Sequence, residues 1–192
     1  MKTFKEYYYY APQTVAGVID LLNSHKDKAK IIAGGTHLIP LLKKRAIAPH
    51  YLINISHITS LSYVKWDNNE GLSLGALTSI SNLLASELIK KRYPYLHKAA
   101  RTLGAVRSRK SATIGGYICA GSSDAEMIQA LLYYQAKVKL TGVRGERIVP
   151  LDLFFTGAGR NIIVNELLVE VIIPPQSVFI PASWDNKIWE QL

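Results

Sequence analysis

The sequence predicts an α+β protein of two lobes, and three observations carry that expectation. Up to about residue 57 the pattern alternates helix and strand, the β-α-β order that favours a small, mostly parallel sheet. From residue 58 it changes to short strands and hairpins interleaved with helices, which suits a larger lobe of mixed or antiparallel pairing ending near residue 175. Neither an internal repeat nor a low-complexity linker interrupts the chain, and 192 residues with 48% apolar content can bury a sizeable core. Residues 176–192 form a tail to which no structure is assigned.

Residues 13–25 set Val15, Val18, Ile19 and Leu22 at helical spacing. Ala29-Lys30-Ile31-Ile32 reads as a short buried strand, and residues 36–47 as a helix with Leu38, Leu41 and Leu42 on one face. Between them lies Ala33-Gly34-Gly35-Thr36. A turn without Cβ atoms ahead of a helix start lets a phosphate approach unpartnered backbone N–H groups, and Thr36 is a candidate cap. A strand over 51–55 follows Pro49.

Residues 61–66 and 71–77 read as strands joined by a polar turn, and 79–103 as mostly helical with a break at Tyr93-Pro94. Residues 111–124 are mostly small and read as a loop whose backbone something else approaches, with a second glycine turn at Thr113-Ile114-Gly115-Gly116. Asp124 precedes a helix over 125–136, as an N-cap, a ribose-binding carboxylate, or both. Segments 136–140 and 147–149 flank Gly142-Val143-Arg144-Gly145, a hairpin signal, and a strand over 167–173 is stopped by Pro174-Pro175.

Composition narrows the function. The polar, tyrosine-rich N-terminus lacks the apolar stretch of a signal peptide and no apolar run reaches the ~18 residues of a membrane helix, so a cytoplasmic protein is expected, without a membrane. One cysteine, Cys119, excludes an internal disulfide and any cluster or cysteine-rich zinc site built by this chain alone, so no metal site is expected. Redox chemistry would need an organic cofactor. The net charge of +9 suits an anionic cofactor, an acidic partner or nucleic acid. Lys43-Lys44-Arg45, Lys90-Lys91-Arg92 and Arg107-Ser108-Arg109-Lys110 are spread along the chain and read mainly as solvated helix ends. No helix-turn-helix, RNP or zinc pattern is present, so nucleic acid is not expected.

Three stretches together resemble the FAD-binding medium subunit of the molybdenum hydroxylases, the group that includes carbon monoxide dehydrogenase and bacterial xanthine dehydrogenase. They are Ala33-Gly34-Gly35-Thr36-His37-Leu38, the Ala112-Thr113-Ile114-Gly115-Gly116 turn with Asp124 eight residues after Gly116, and a closing stretch. That last runs from Val149-Pro150-Leu151 and Phe154-Phe155 to Glu166-Leu167-Leu168 and Ile173-Pro174. The resemblance implies a two-lobed FAD-binding fold of the vanillyl-alcohol oxidase (PCMH) type, with lobes at 1–57 and 58–175 and FAD between them.

It further implies that residues 32–38, from Ile32 to Leu38 with His37 among them, offer N–H groups to the pyrophosphate. Thr113 to Gly116, beside Ala112 and Tyr117, would form the opposite wall, and Asp124 would lie at the ribose. Leu103 and Gly104 would fall in the cofactor cleft, with Leu167 and Leu168 near the flavin or adenine. No catalytic residue is implied.

The implied role is electron transfer through FAD, from a small iron–sulfur [2Fe-2S] subunit to NAD or another acceptor, beside a large molybdopterin subunit. Two departures stand out: Tyr117 replaces the family's usual Asn, to stack on a ring or to fill space, and Ser108-Arg109-Lys110 stands where Ile-Arg-Asn is usual. The family also continues into a C-terminal domain that residues 179–192 do not resemble, so a shortened chain is expected. The alternative is a degenerate binding or scaffold module that has kept the fold without redox activity.

Overall fold

The computed structural model describes residues 7–121, 125–157 and 159–175. The first elements are β1 (Tyr8–Tyr10), α1 (Val15–His25), β2 (Ala29–Ile32), α2 (Leu38–Lys43) and β3 (Tyr51–Asn54). β4 (Val64–Asp67) and β5 (Gly71–Gly75) lead into α3 (Ile80–Ala85), α4 (Glu87–Arg92), α5 (Pro94–Thr102), α6 (Val106–Ser111), α7 (Ile114–Ala120) and α8 (Glu126–Tyr133). The chain continues with β6 (Lys137–Gly142), β7 (Gly145–Pro150), β8 (Phe155–Gly157), β9 (Arg160–Asn161) and β10 (Leu167–Ile173).

The expected α+β division into parallel and antiparallel parts is present. β1, β3 and β2 pair in parallel in that order, with Tyr51 of β3 opposite Tyr8 on one side and Ala29 on the other. Thr14 starts α1 by accepting the Gly17 N–H on its hydroxyl at 3.1 Å, and Val18, Ile19 and Leu22 bury themselves in a core shared with Ile53 and Ile55. The second sheet is antiparallel throughout, in the order β4-β5-β10-β6-β7. Helices α3, α5, α7 and α8 contribute to its larger core.

β10 explains how one apolar run serves both cores. A register shift between Leu168 and Glu170 interrupts its pairing with β6. Leu168, Val171 and Ile173 join the larger core, whereas Leu167 and Val169 join the smaller one beside Leu61 and Leu77. The N-terminal sheet therefore completes its core with side chains from after residue 57.

Three expected elements need correction. The helix expected over 36–47 is confined to Leu38–Lys43, and His37, not Thr36, holds the N-cap position, without a side-chain cap bond. The stretch 79–103 breaks at Ser86 as well as at Tyr93-Pro94, because the Ser86 hydroxyl accepts the Ile89 N–H and starts a new helix. The small-residue loop expected over 111–124 contains α7, with Thr113 as its N-cap.

Two polar features, one partly and one fully buried, carry predictions. Glu170 accepts hydrogen bonds from Tyr63 and Lys139, each at 2.8 Å, and Glu166 is forked by Arg147 at 2.8 and 2.7 Å. Burial raises the Glu170 pKa, but Lys139, Tyr63 and Ser73 outweigh it. At Glu166 the Arg147 fork outweighs burial, so both carboxyls lie below the ordinary 4.5. A depressed carboxylate stabilises the fold above its unfolded pKa, and that stability is lost as pH falls through the lower folded value. Denaturant melts should show stability declining below about pH 4.5, with a flatter acid slope in a Glu166→Gln/Glu170→Gln variant; an unchanged slope would refute the assignment.

Tyr93 is fully buried among Trp66 and Tyr134, and its hydroxyl has no hydrogen-bond partner among the described residues. Burial pushes its pKa up to about 12. Removing an unsatisfied hydroxyl relieves its desolvation penalty, so Tyr93→Phe should stabilise by about 1 kcal/mol, a rise of roughly 2–4 °C in Tm. A fall in Tm would show that the hydroxyl has a partner.

Candidate functional site

The first glycine turn joins the end of β2 to α2. Gly35 has φ +71°, a left-handed conformation that reverses the chain, and its carbonyl accepts the Ile39 N–H at 3.0 Å. No backbone N–H from Ala33 through Leu38 donates to an acceptor among the described residues. Six consecutive donors thus line one short segment. α2 has six residues, so the donors matter more here than any helix dipole. Gly34 lies against the end of α6, where an added Cβ would fall 1.6 Å from the Ser111 carbonyl oxygen.

The second glycine motif works differently. The Thr113 hydroxyl accepts the Gly116 N–H at 3.2 Å, the Ile114 N–H donates to Thr78 and the Gly115 N–H to Ala76, both at 2.9 Å. These donors are already satisfied, so this motif contributes shape. Gly115 is buried, and its Cβ would lie 2.7 Å from that of Ala76. Gly116 is exposed and faces Ala33, whose Cβ would be 4.0 Å from its own. Pairing with the chain at 76–80 is what lets a glycine-rich segment form a helix against its intrinsic preference.

The two motifs meet on one cleft of about 810 Å³. Of the residues singled out from sequence, Ala33, Gly34, Gly35, Thr36, His37, Leu38, Thr113, Gly115, Gly116, Leu167 and Leu168 line it. Ile32 does not, although Ala29, Lys30 and Ile31 of the same strand do. Ala112 and Ile114 are buried in the larger core. Leu103 and Gly104 sit off the cleft, their carbonyls held by the Arg109 guanidinium at 2.8 to 3.2 Å.

Tyr117 also lies off the cleft and packs against the larger core, which favours the space-filling alternative. Burial, with Glu126 nearby, raises its pKa. Asp124 falls outside the described residues, and the N-cap position of α8 belongs to Ala125.

The sequence reading missed the far wall, residues 159–166. Asn161, Ile163, Val164, Asn165 and Glu166 border the cleft there, and Lys26, Asp27 and Lys30 border it at the smaller sheet. The only local signal was Glu166 in the closing stretch, since an irregular wall has no periodicity to detect. Cys119 also borders the cleft, but burial pushes its thiol up to about 12, so it stays protonated and is no nucleophile at neutral pH.

Among the described residues no group of three or more His, Cys, Asp or Glu side chains could hold a metal ion, and no helix is long and apolar enough to cross a membrane. The cations are less evenly spread than their sequence positions suggested. Lys90, Lys91, Arg92, Lys98, Arg101, Arg107, Arg109 and Lys110 fall on or beside α4 to α6, where Glu87 is the lone carboxylate in that stretch.

Residues 2–176 match the family described as the FAD binding domain in molybdopterin dehydrogenase. The chain is 32% identical over 170 residues to the glyceraldehyde dehydrogenase medium chain of Sulfolobus acidocaldarius, covering 88% of this chain and 60% of that one. It is likewise 32% identical to the carbon monoxide dehydrogenase medium chain of Hydrogenophaga pseudoflava, covering 86% and 58%. A solved carbon monoxide dehydrogenase from Hydrogenophaga pseudoflava superposes with a TM-score of 0.85 at 31% identity, covering 90% of this chain and 60% of that one. A solved quinoline 2-oxidoreductase from Pseudomonas putida gives 0.84 at 28%, covering 91% and 61%. The chain spans about three fifths of the length of these relatives.

Proposed function

The chain belongs to the FAD-binding domain family of molybdopterin dehydrogenases, and on that premise we propose that its cleft holds FAD within a multi-subunit molybdenum hydroxylase. The observation that carries this reading is the run of six N–H groups from Ala33 to Leu38 without an acceptor among the described residues, on the same cleft as Gly116, whose Cβ position would lie 4.0 Å from that of Ala33. A diphosphate needs several convergent donors and close backbone approach, and the first turn supplies the donors. The second supplies room. Thr36 and His37 lie within the donor run, while Leu167 and Leu168 offer an apolar surface where a ring could rest.

FAD, when bound, supplies the redox chemistry by taking up and releasing electrons. The protein's own residues bind and orient it, and no general acid or base is assigned. In this reading 1–57 and 58–175 are the two lobes that embrace the cofactor. Electrons arrive from a [2Fe-2S] subunit and leave to NAD or another acceptor, with a molybdopterin subunit handling the substrate in the cytoplasm. The cation-rich α4 to α6 region suits an acidic partner surface.

The test is to purify the chain alone and with its neighbouring gene products, then measure flavin bound and released on denaturation. FAD in the purified complex, reduced when an iron–sulfur partner is supplied with electrons, is the expected result. A colourless protein that takes up no added FAD in either form would favour the non-redox module instead.

A further inference from the structure

The wall of the cleft at 159–166 is fastened to the rest of the molecule at several points, and one of them is an amide that uses both of its ends. The Asn161 Nδ2 donates to the Cys119 carbonyl at 3.1 Å, while its Oδ1 accepts the Ile163 N–H at 3.1 Å. Cys119 lies in the last turn of α7, where carbonyls lack helical partners and welcome an outside donor. Asn161 and Cys119 both border the cleft. The side chain therefore spans from the helix carrying Gly116 to the wall opposite the first glycine turn.

Other attachments lie to either side, among them the β8–β9 pairing that sets Phe155 opposite Asn161 itself. The Ile162 N–H donates to Phe154 at 3.0 Å, and Arg147 forks Glu166 from the β6–β7 hairpin. Between these pins Ile163 packs against the larger core, whereas Val164 is 69% exposed and Asn165 has φ +53°. The Asn161 bridge is a side-chain hydrogen bond that ties this wall directly to α7.

We propose that Asn161 is a positioning residue that sets the spacing between α7 and the 159–166 wall, and through it the grip on the cofactor. The proposal rests on the FAD reading above. It follows from the chemistry of the amide: a donor is needed at Cys119 and an acceptor at Ile163, and only a carboxamide of this length supplies both. Asn161→Asp keeps the acceptor but turns a carboxylate toward a carbonyl oxygen, pushing the wall away. Asn161→Ser keeps a small hydroxyl and adds no charge.

The experiment measures FAD dissociation constants by flavin fluorescence titration, the visible circular dichroism of the bound flavin, and the Tm of each apoprotein. Asn161→Asp should raise the dissociation constant at least tenfold and alter the visible dichroism, with Asn161→Ser intermediate. Unaltered affinity and dichroism alongside a lowered Tm would overturn the proposal, since a purely structural bridge moves only the last. If Asn161→Asp does not fold, the serine variant decides by the same two readouts. Failure of the unmutated chain and its complex to bind FAD would overturn the FAD reading itself, and this proposal with it.

Discussion

Gly34→Ala is expected to lower Tm by roughly 6–12 °C whether or not FAD is present, from a loss of about 3 kcal/mol. The new Cβ would fall 1.6 Å from the Ser111 carbonyl oxygen and 2.6 Å from its carbon. Backbone cannot rotate out of the way as a side-chain tip can. Ser111 is also held in place: the Ala112 N–H bonds to Ser108 at 2.8 Å, and the Ala112 carbonyl takes the Ile80 N–H at 2.9 Å. Relief must come from pulling the first glycine turn away from α6, which opens the cleft as well as the contact. Thermal melts of apoprotein and cofactor-loaded protein measure both consequences, and a Tm within a degree of the unmutated protein would refute the close approach.

Gly116→Val should behave in the opposite way, lowering FAD affinity by at least about 100-fold, or roughly 2.7 kcal/mol, while Tm stays close to its starting value. Gly116 is exposed, and the nearest obstacle to a Cβ is the Thr113 hydroxyl at 2.8 Å, a side chain that can turn. Losing that cap costs about 1 kcal/mol. Replacing a helical glycine returns part of it by lowering backbone entropy in the unfolded chain. What the valine does occupy is the space toward Ala33, where the two motifs face each other. A titration showing unchanged affinity would remove this turn from the site. Gly35→Val is a poorer probe, because φ +71° strains any β-branched residue there regardless of ligand.

Much of the fold was legible because its elements announce themselves locally. α1 shows a helical stripe, the Gly142 to Gly145 turn marks its hairpin, and β10 is a long apolar run closed by two prolines. The site was legible only where glycine marked it. Both glycine motifs border the cleft, yet the sequence could not show that one offers free donors and the other has its own satisfied by Ala76, Thr78 and Thr113. Tyr117 illustrates the same gap: an aromatic beside a glycine turn reads equally as stacking on a ring or filling space, and its packing places it against the larger core.

Short-range chemistry was thus enough to outline the longer helices and strands, the parallel and antiparallel parts, and the glycine turns, but not β1, α6, β8 or β9. Side-chain periodicity, caps and glycine are properties of a few neighbouring residues, so they survive in the linear text. Long-range pairing had to decide the rest. The collapse of the 36–47 helix to six residues, the helix inside the small-residue segment, the double allegiance of β10 and the wall at 159–166 all depend on partners far along the chain. No local preference encodes a hydrogen bond from Asn161 to Cys119, 42 residues away, because its energy exists only once the two segments are side by side.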